Sequence, residues 1–235
     1  MNKTVKKTYG SYKFGSPWDL SDQDLDQLIR LFNMPTDSVS SVLGGRSSVA
    51  NAKLKMIGPV VIKYYTRGGF IRHLVKRKYM KWGKTRCQLE YEALQSVRRL
   101  GISAPEPIVF AYKGTLFYKA WLVTREIKHN KTLAELSRTD VWRARSAMNE
   151  VVVQVATLIK NNIFHPDLHP GNILVDSADC VFILDFDKTR LSRWRRHKLR
   201  DKYVMRWQRA VTKHQLPEML SEIMSSGFQK SYELK

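Results

Sequence analysis

Two stretches of this chain combine residue types that could do chemistry. The first is His165-Pro-Asp-Leu-His-Pro-Gly-Asn-Ile-Leu-Val-Asp176, followed closely by Phe182-Ile-Leu-Asp-Phe-Asp187. Its pattern is an aspartate, four residues, an asparagine, an apolar strand, a turn, a second apolar strand and another aspartate. Asp167 can accept the hydrogen bond of an attacking hydroxyl. Asn172 and Asp185 offer oxygen ligands, which a hard cation such as Mg2+ requires. Two short strands between them would form a hairpin that holds both ligands on one side, with Pro170 and Gly171 shaping the tight loop before it. A positioned carboxylate beside a cation site is the equipment of phosphoryl transfer. His165 reads as a brace for the loop, His169 as a surface histidine, and Asp187 as a loop residue or a third metal ligand.

The second stretch lies in the N-terminal half. Pro59-Val-Val-Ile-Lys-Tyr-Tyr65 is β-branched and aromatic, hence a strand. A lysine inside an apolar strand is costly unless paired. The expected partner of Lys63 is Glu90 on the following helix. Glu92, two positions on, faces elsewhere. Such a pair would hold Lys63 toward the α- and β-phosphates of a nucleotide. Before this strand, Gly45, Arg46, Ser47 and Ser48 could cap the phosphates through backbone N–H groups or the two hydroxyls. The loop lacks the second and third glycines of G-x-G-x-x-G. Backbone groups of Arg125 to Ile127 are the candidates for the adenine contact. The expectation is that the side chains at 63, 167, 172 and 185 meet in one crevice between two lobes.

The elements that must position these residues follow from periodicity. Residues 1–15 are polar and read as a loose arm. Ser21, Asp24 and the apolar set Leu25, Leu28, Ile29, Leu31 and Phe32 read as a capped helix. Residues 70–82 alternate basic and apolar residues at helical spacing. Thr85 to Leu100 is a clearer helix, with Leu89, Ala93, Leu94, Val97 and Leu100 on one face and Gly101 stopping it. Ile108–Tyr112 and Leu116–Ile127 read as a hairpin across Lys113-Gly114. A helical region covers roughly 132–162, and a basic helix ends the chain. Strands first and helices later give an α+β architecture. The expected division is an N-terminal arm and helix (1–37), a nucleotide-binding N-lobe (38–127) and a C-lobe (128–235).

The 235 residues carry 41 Lys and Arg against 21 Asp and Glu, a net charge of +20. Such a balance calls for anionic partners: nucleic acid, an anionic membrane surface, or a phosphorylated or carboxylated substrate. One basic cluster spans Lys63 to Arg86 and another Lys188 to Lys213. Trp194 and Trp207 interleave the second, and could stack on bases, lie at a lipid interface or face the core. Cys87 and Cys180 lack zinc spacing and read as free thiols, with a single bridge between them as the alternative. The longest apolar run, Val151 to Ile159, is interrupted by Gln154 and is far short of a membrane span. No apolar run follows the first basic residues, so no signal peptide is expected.

With these residues in hand, the sequence resembles the lipopolysaccharide kinase family, the Kdo and heptose kinases of Gram-negative bacteria (Kdo is 3-deoxy-D-manno-octulosonic acid). The likeness runs through Gly45-Arg-Ser-Ser-Val, Val-Ile-Lys-Tyr-Tyr-Thr-Arg-Gly-Gly69, Arg77-Lys-Tyr, Thr85-Arg86 and Glu90. It continues in Leu100-Gly-Ile-Ser-Ala-Pro-Glu-Pro107, Leu122-Val-Thr-Arg-Glu-Ile127 and Ile183-Leu-Asp-Phe-Asp-Lys-Thr-Arg-Leu191, and is strongest to the Kdo kinase branch. The resemblance implies a bilobal protein-kinase-like fold with a β-rich N-lobe and a reduced α-helical C-lobe without a long activation segment. It also implies ATP- and Mg2+-dependent phosphorylation of a sugar hydroxyl of the lipopolysaccharide core (Kdo-lipid A), by a peripheral protein at the cytoplasmic face of the inner membrane. Pro166 stands where H-R-D kinases have Arg, and no A-P-E segment follows Asp187. Both departures favour a non-protein acceptor. The loop Asp-Leu-His-Pro-Gly-Asn leaves Kdo and heptose open. The alternative is a RIO-like atypical protein kinase acting on a nucleic-acid-associated substrate, against which the missing nucleic-acid module weighs.

Overall fold

The structure, a computed structural model, describes residues 4–34, 48–65, 79–80, 83–115 and 117–233. The chain divides into two compact units. The first comprises Met1–Gln95 and Glu106–Glu126, the second Ser96–Pro105 and Ile127–Lys235.

Unit 1 is built on a seven-stranded sheet of β1 (Val5–Tyr9), β2 (Tyr12–Ser16), β3 (Ser48–Leu54), β4 (Gly58–Tyr64), β5 (Tyr79–Met80), β6 (Pro107–Gly114) and β7 (Phe117–Arg125). The order is β1-β2-β6-β7-β4-β3, with β5 also on β7 and every pairing antiparallel. The N-terminal residues are therefore a hairpin and not a loose arm. Tyr12 and Phe14 alternate inward from β2, and their burial against the sheet holds the hairpin on β6 in the register Phe14↔Ala111. Tyr79 and Met80 are likewise extended, paired with Tyr118 and Phe117, where helical spacing had suggested a helix. The strand edge of β7 supplies hydrogen bonds that an isolated helical turn cannot match. The remainder of 66–82, including Gly68 and Gly69, is outside the described residues, apart from Tyr79 and Met80.

Helix α1 (Asp22–Phe32) covers one face of the sheet. Ser21 and Asp24 form a reciprocal capping box at its start. Leu25, Leu28 and Phe32 pack into a cluster with Phe14, Leu54, Val60, Ile62, Tyr64 and Trp121. The Phe32 and Trp121 rings stack with centroids 4.7 Å apart. Helix α2 (Arg86–Arg99) carries another buried set. Cys87, Glu90, Tyr91 and Leu94 are buried, whereas Leu89 is 48% exposed and Leu100 38% exposed. Hydrophobicity alone misplaces this face: a glutamate points inward because it has a partner there.

Unit 2 contains β8 (Lys131–Thr132), α3 (Leu133–Thr139), α4 (Val141–Lys160), β9 (Ile163–Phe164), β10 (Ile173–Val175), β11 (Val181–Ile183), β12 (Arg190–Leu191), α5 (Arg196–Lys213) and α6 (Met219–Glu233). The helical region of 132–162 is thus two helices, broken at Asp140, whose side chain accepts from the Arg143 N–H and caps α4. β8, β10 and β11 form one small sheet, β9 and β12 another. Gln154, which interrupts the apolar run of α4, is buried and fully used. Its Oε1 accepts from the Ser103 N–H at 3.0 Å, and its Nε2 donates to the Val181 carbonyl at 3.0 Å. Trp207 faces the core, with its indole N–H on the Leu220 carbonyl at 3.0 Å. Trp194 is half-buried, edge-on to Phe164. Among the described residues no helix is long and apolar enough to cross a membrane.

Candidate active site

The lysine of unit 1 is placed by strand alternation. Val60, Ile62 and Tyr64 of β4 enter the core under α1, so Lys63 lies on the opposite face, toward α2. Its Nζ donates to Glu90 Oε1 and Oε2 at 2.8 and 2.9 Å. Only 15% of the Lys63 side chain and 3% of that of Glu90 are exposed. Tyr65 shares this face two residues on, and its hydroxyl donates to Glu90 Oε2. Burial, and then the negative charge of Glu90, push the Tyr65 phenol well above its ordinary value, so it stays a donor. The Lys63 ammonium and the Arg86 guanidinium each sit 5.5 Å from the Tyr65 ring centre. Glu92 turns away and pairs with Lys84 at 2.7 Å.

Gly45, Arg46 and Ser47 lie outside the described residues. Ser48 opens β3, and the next residue, Val49, is the register partner of Lys63, so the chain enters the sheet beside that lysine. The Arg125 N–H donates to the Glu106 carbonyl at 2.9 Å. Its side chain binds Glu106 Oε2 at 2.6 Å and the Ile57 carbonyl at 2.9 Å. Ile127 accepts from the Asn130 amide in unit 2. Cys87 is buried, and its thiol is pushed up to about 12 by that burial, which leaves it inert as a nucleophile.

In unit 2 the catalytic-loop candidates are held by a compact set of bonds. The pair Ile173↔Ile183 closes the β10–β11 hairpin, and at its base the Leu184 N–H donates to the Asn172 carbonyl at 2.9 Å. Asn172 and Asp185 therefore leave the same end of one hairpin. The Asn172 Nδ2 donates to the Asp167 carbonyl at 2.8 Å, so the amide presents Oδ1 as its remaining ligand atom. Gly171 fits under His169, whose Nδ1 accepts the Gly171 N–H at 3.1 Å; an added Cβ would sit 3.0 Å from the imidazole Cε1. Asp185 adopts left-handed backbone angles (φ 62, ψ 60). That conformation costs an L-residue roughly 1 kcal/mol and turns the chain sharply into the 3-10 turn Phe186–Lys188. One turn thus delivers two carboxylates, with oxygens of Asp185 and Asp187 within 4.8 Å of each other.

His165 is buried beneath this loop. Its Nε2 lies 2.9 Å from the Leu184 carbonyl, its backbone N–H donates to the Tyr203 hydroxyl at 2.8 Å, and its ring packs edge-on to Phe186. Burial pulls its pKa down, so the imidazole is neutral and Nε2 is the protonated nitrogen that reaches Leu184. Its Nδ1 has no hydrogen-bond partner among the described residues. Tyr203 completes the brace by donating to the Ile163 carbonyl at 2.9 Å. Asp167 itself is 30% exposed, and its Oδ2 accepts from Lys188 Nζ at 2.5 Å.

A carboxylate aimed outward beside an amide oxygen and two further carboxylates suits a hydroxyl and a hard cation. The lipopolysaccharide kinase (Kdo/WaaP) family profile matches residues 36–225. The chain belongs to this family. Its relatives in the family include a 3-deoxy-D-manno-octulosonic acid kinase of Vibrio vulnificus strain YJ016, 32% identical over 130 residues (54% of this chain, 55% of that protein). The enzyme of the same name from Vibrio parahaemolyticus is 27% identical over 187 residues, 77% of each chain. That from Photobacterium profundum is 33% identical over 138 residues, 55% of this chain and 56% of that one. In the Vibrio vulnificus and Photobacterium alignments the chain spans about half the length of the curated relative.

Sequence reasoning did not name three side chains that the structure brings to the candidates. Tyr65 had a usable signal, since strand alternation puts it on the face of Lys63. Asp187, read as a loop residue or a third metal ligand, leaves a 3-10 turn that one-dimensional spacing does not show. Lys188 and Tyr203 had no local signal; tertiary contacts alone bring them to Asp167 and His165.

Proposed function

We propose that this protein is an ATP-dependent kinase that transfers a phosphoryl group to a hydroxyl of Kdo in the lipopolysaccharide inner core. The observation that carries the reading is the unit 2 arrangement of Asp167, Asn172 and Asp185 within a chain of this family. The names of the relatives favour Kdo over heptose.

The residues fit the reactants the reaction needs. Asn172 Oδ1, Asp185 and Asp187 supply oxygen donors of the kind Mg2+ takes. When bound, that cation neutralises charge on the phosphate oxygens. In unit 1, Lys63, held by Glu90 and Tyr65, is the cation suited to the α- and β-phosphates of a nucleotide. Asp167 accepts the hydrogen bond of the sugar hydroxyl. The hydroxyl oxygen forms the new bond to the γ-phosphorus, the bond from that phosphorus to the β,γ-bridging oxygen breaks, ADP departs, and the hydroxyl proton goes to Asp167. No cation stands inside the loop 165–172, and Pro166 precedes Asp167, so the arginine that answers a phosphorylated activation segment is missing. The acceptor is correspondingly a sugar and not a peptide.

The acceptor sits in an anionic leaflet, and α5 offers matching charge. Lys198, Lys202, Arg206, Arg209 and Lys213 recur at spacings of three and four, on the flank away from buried Leu199, Tyr203, Trp207 and Val211. We place the membrane contact there.

The test is incubation of purified protein with γ-labelled ATP, Mg2+ and either Kdo-lipid A or a heptose-extended core. Label should pass to Kdo-lipid A as a phosphomonoester. Asp167→Asn should lower transfer about 10²–10⁴-fold while ATP binding persists. Transfer to neither acceptor, or an unimpaired Asp167→Asn enzyme, would overturn the assignment.

A further inference from the structure

We propose that Lys188 is the positioning residue for Asp167, fixing which carboxylate oxygen meets the acceptor. This rests on the kinase reading and names a part of that same site. The loop from His165 to Asn172 contains no lysine or arginine. His169, two residues beyond Asp167, cannot substitute: its Nδ1 accepts the Gly171 N–H, and burial followed by the nearby His214 disfavours its charged form. A catalytic carboxylate without a fixed partner would rotate about its last side-chain bond.

The cation comes instead from the turn that carries Asp185 and Asp187. Lys188 is the last residue of that turn, and its Nζ holds Asp167 Oδ2 at 2.5 Å. The backbone side of Asp167 is fixed as well, because Asn172 Nδ2 donates to its carbonyl. With Oδ2 held, Oδ1 is the oxygen turned to the incoming hydroxyl. The carboxylates for the cation and the ammonium that aims the base thus ride on one short turn, so a displacement of that turn misaligns both together.

Stability does not account for the contact. The Lys188 side chain is 53% exposed and that of Asp167 30% exposed. A pair so open to solvent adds little to folding, so its geometry can be tested without unfolding the protein.

The experiment compares wild type, Lys188→Ala, Lys188→Arg, Asp167→Asn and the double variant, reading kcat and KM for transfer to Kdo-lipid A and for slow ATP hydrolysis, with melting temperature as control. Lys188→Ala should lower kcat about 10–100-fold with KM for ATP within twofold, the size of loss that small misplacement produces. Lys188→Arg should recover most of kcat. In the Asp167→Asn background, removing Lys188 should change nothing further, because its effect passes through that carboxylate. An active wild type whose Lys188→Ala form keeps full kcat, loses only ATP affinity, or shows additive losses in the double variant would overturn the proposal alone. A wild type active on ATP hydrolysis but on neither sugar would overturn the acceptor assignment, while the cycle read in hydrolysis still decides Lys188. A wholly inert wild type would overturn both.

Discussion

Glu90→Gln is a sharp probe of unit 1, because it removes one charge and almost no volume. In the native protein the Glu90 carboxylate is 3% exposed and is shared by Lys63 at 2.8 and 2.9 Å and by the Tyr65 hydroxyl. The glutamine carbonyl can still accept from Tyr65. What is lost is the counter-charge of an ammonium with 15% of its side chain exposed. Breaking a buried pair from one side costs about 3–5 kcal/mol, since the surviving charge stays desolvated. Lys63 retains some access to water, so the lower end applies, about 3 kcal/mol. For a chain of this size that is a drop in melting temperature of roughly 6–12 °C. Adding Lys63→Met removes the ammonium that has lost Glu90, and the double variant should return to within about 1 kcal/mol of wild type. Urea unfolding followed by tryptophan fluorescence reports this, because Trp121 is buried in the unit 1 core. A Glu90→Gln protein within about 0.5 kcal/mol of wild type, or a double variant no better than the single, would refute the argument that burial makes this pair obligatory.

Two further outcomes follow from other sites. His165 is buried with its pKa pulled below the free value of 6.5, so the unfolded chain binds more protons and stability falls as pH drops below about 6.5. His165→Gln, which keeps a donor for the Leu184 carbonyl, should flatten that slope in urea titrations between about pH 7 and 5, leaving the contribution of His169, whose pKa is lowered in the same direction. The α5 stripe should hold the protein on vesicles containing phosphatidylglycerol, with on the order of 1 kcal/mol per basic side chain near the surface; about 1 M salt, where screening length is near 3 Å, should strip it, and retention in a flotation assay at that salt would count against the stripe.

Strand alternation and helix spacing determine much of this protein without any coordinates. A β-branched run with one lysine specifies a strand that must bury or pair that lysine, and the carboxylate at 90 is one helix away; the structure joins them. Ser21 and Asp24 announce the start of α1 by capping chemistry that is purely local. The asparagine and aspartate bracketing two short apolar strands require a hairpin, and a hairpin brings its ends together. Tertiary structure alone decided the rest. The polar N-terminal residues looked unattached because what orders them is a strand about a hundred residues away, at Ala111 and Lys113. The inward face of α2 follows Glu90 and not Leu89, because partners on another strand outweigh side-chain hydrophobicity. The ammonium that steadies Asp167 comes from 21 residues further on, across a hairpin and a left-handed turn. Periodicity reports what each segment buries. Which distant group satisfies a buried or catalytic charge depends on the path of the chain through space.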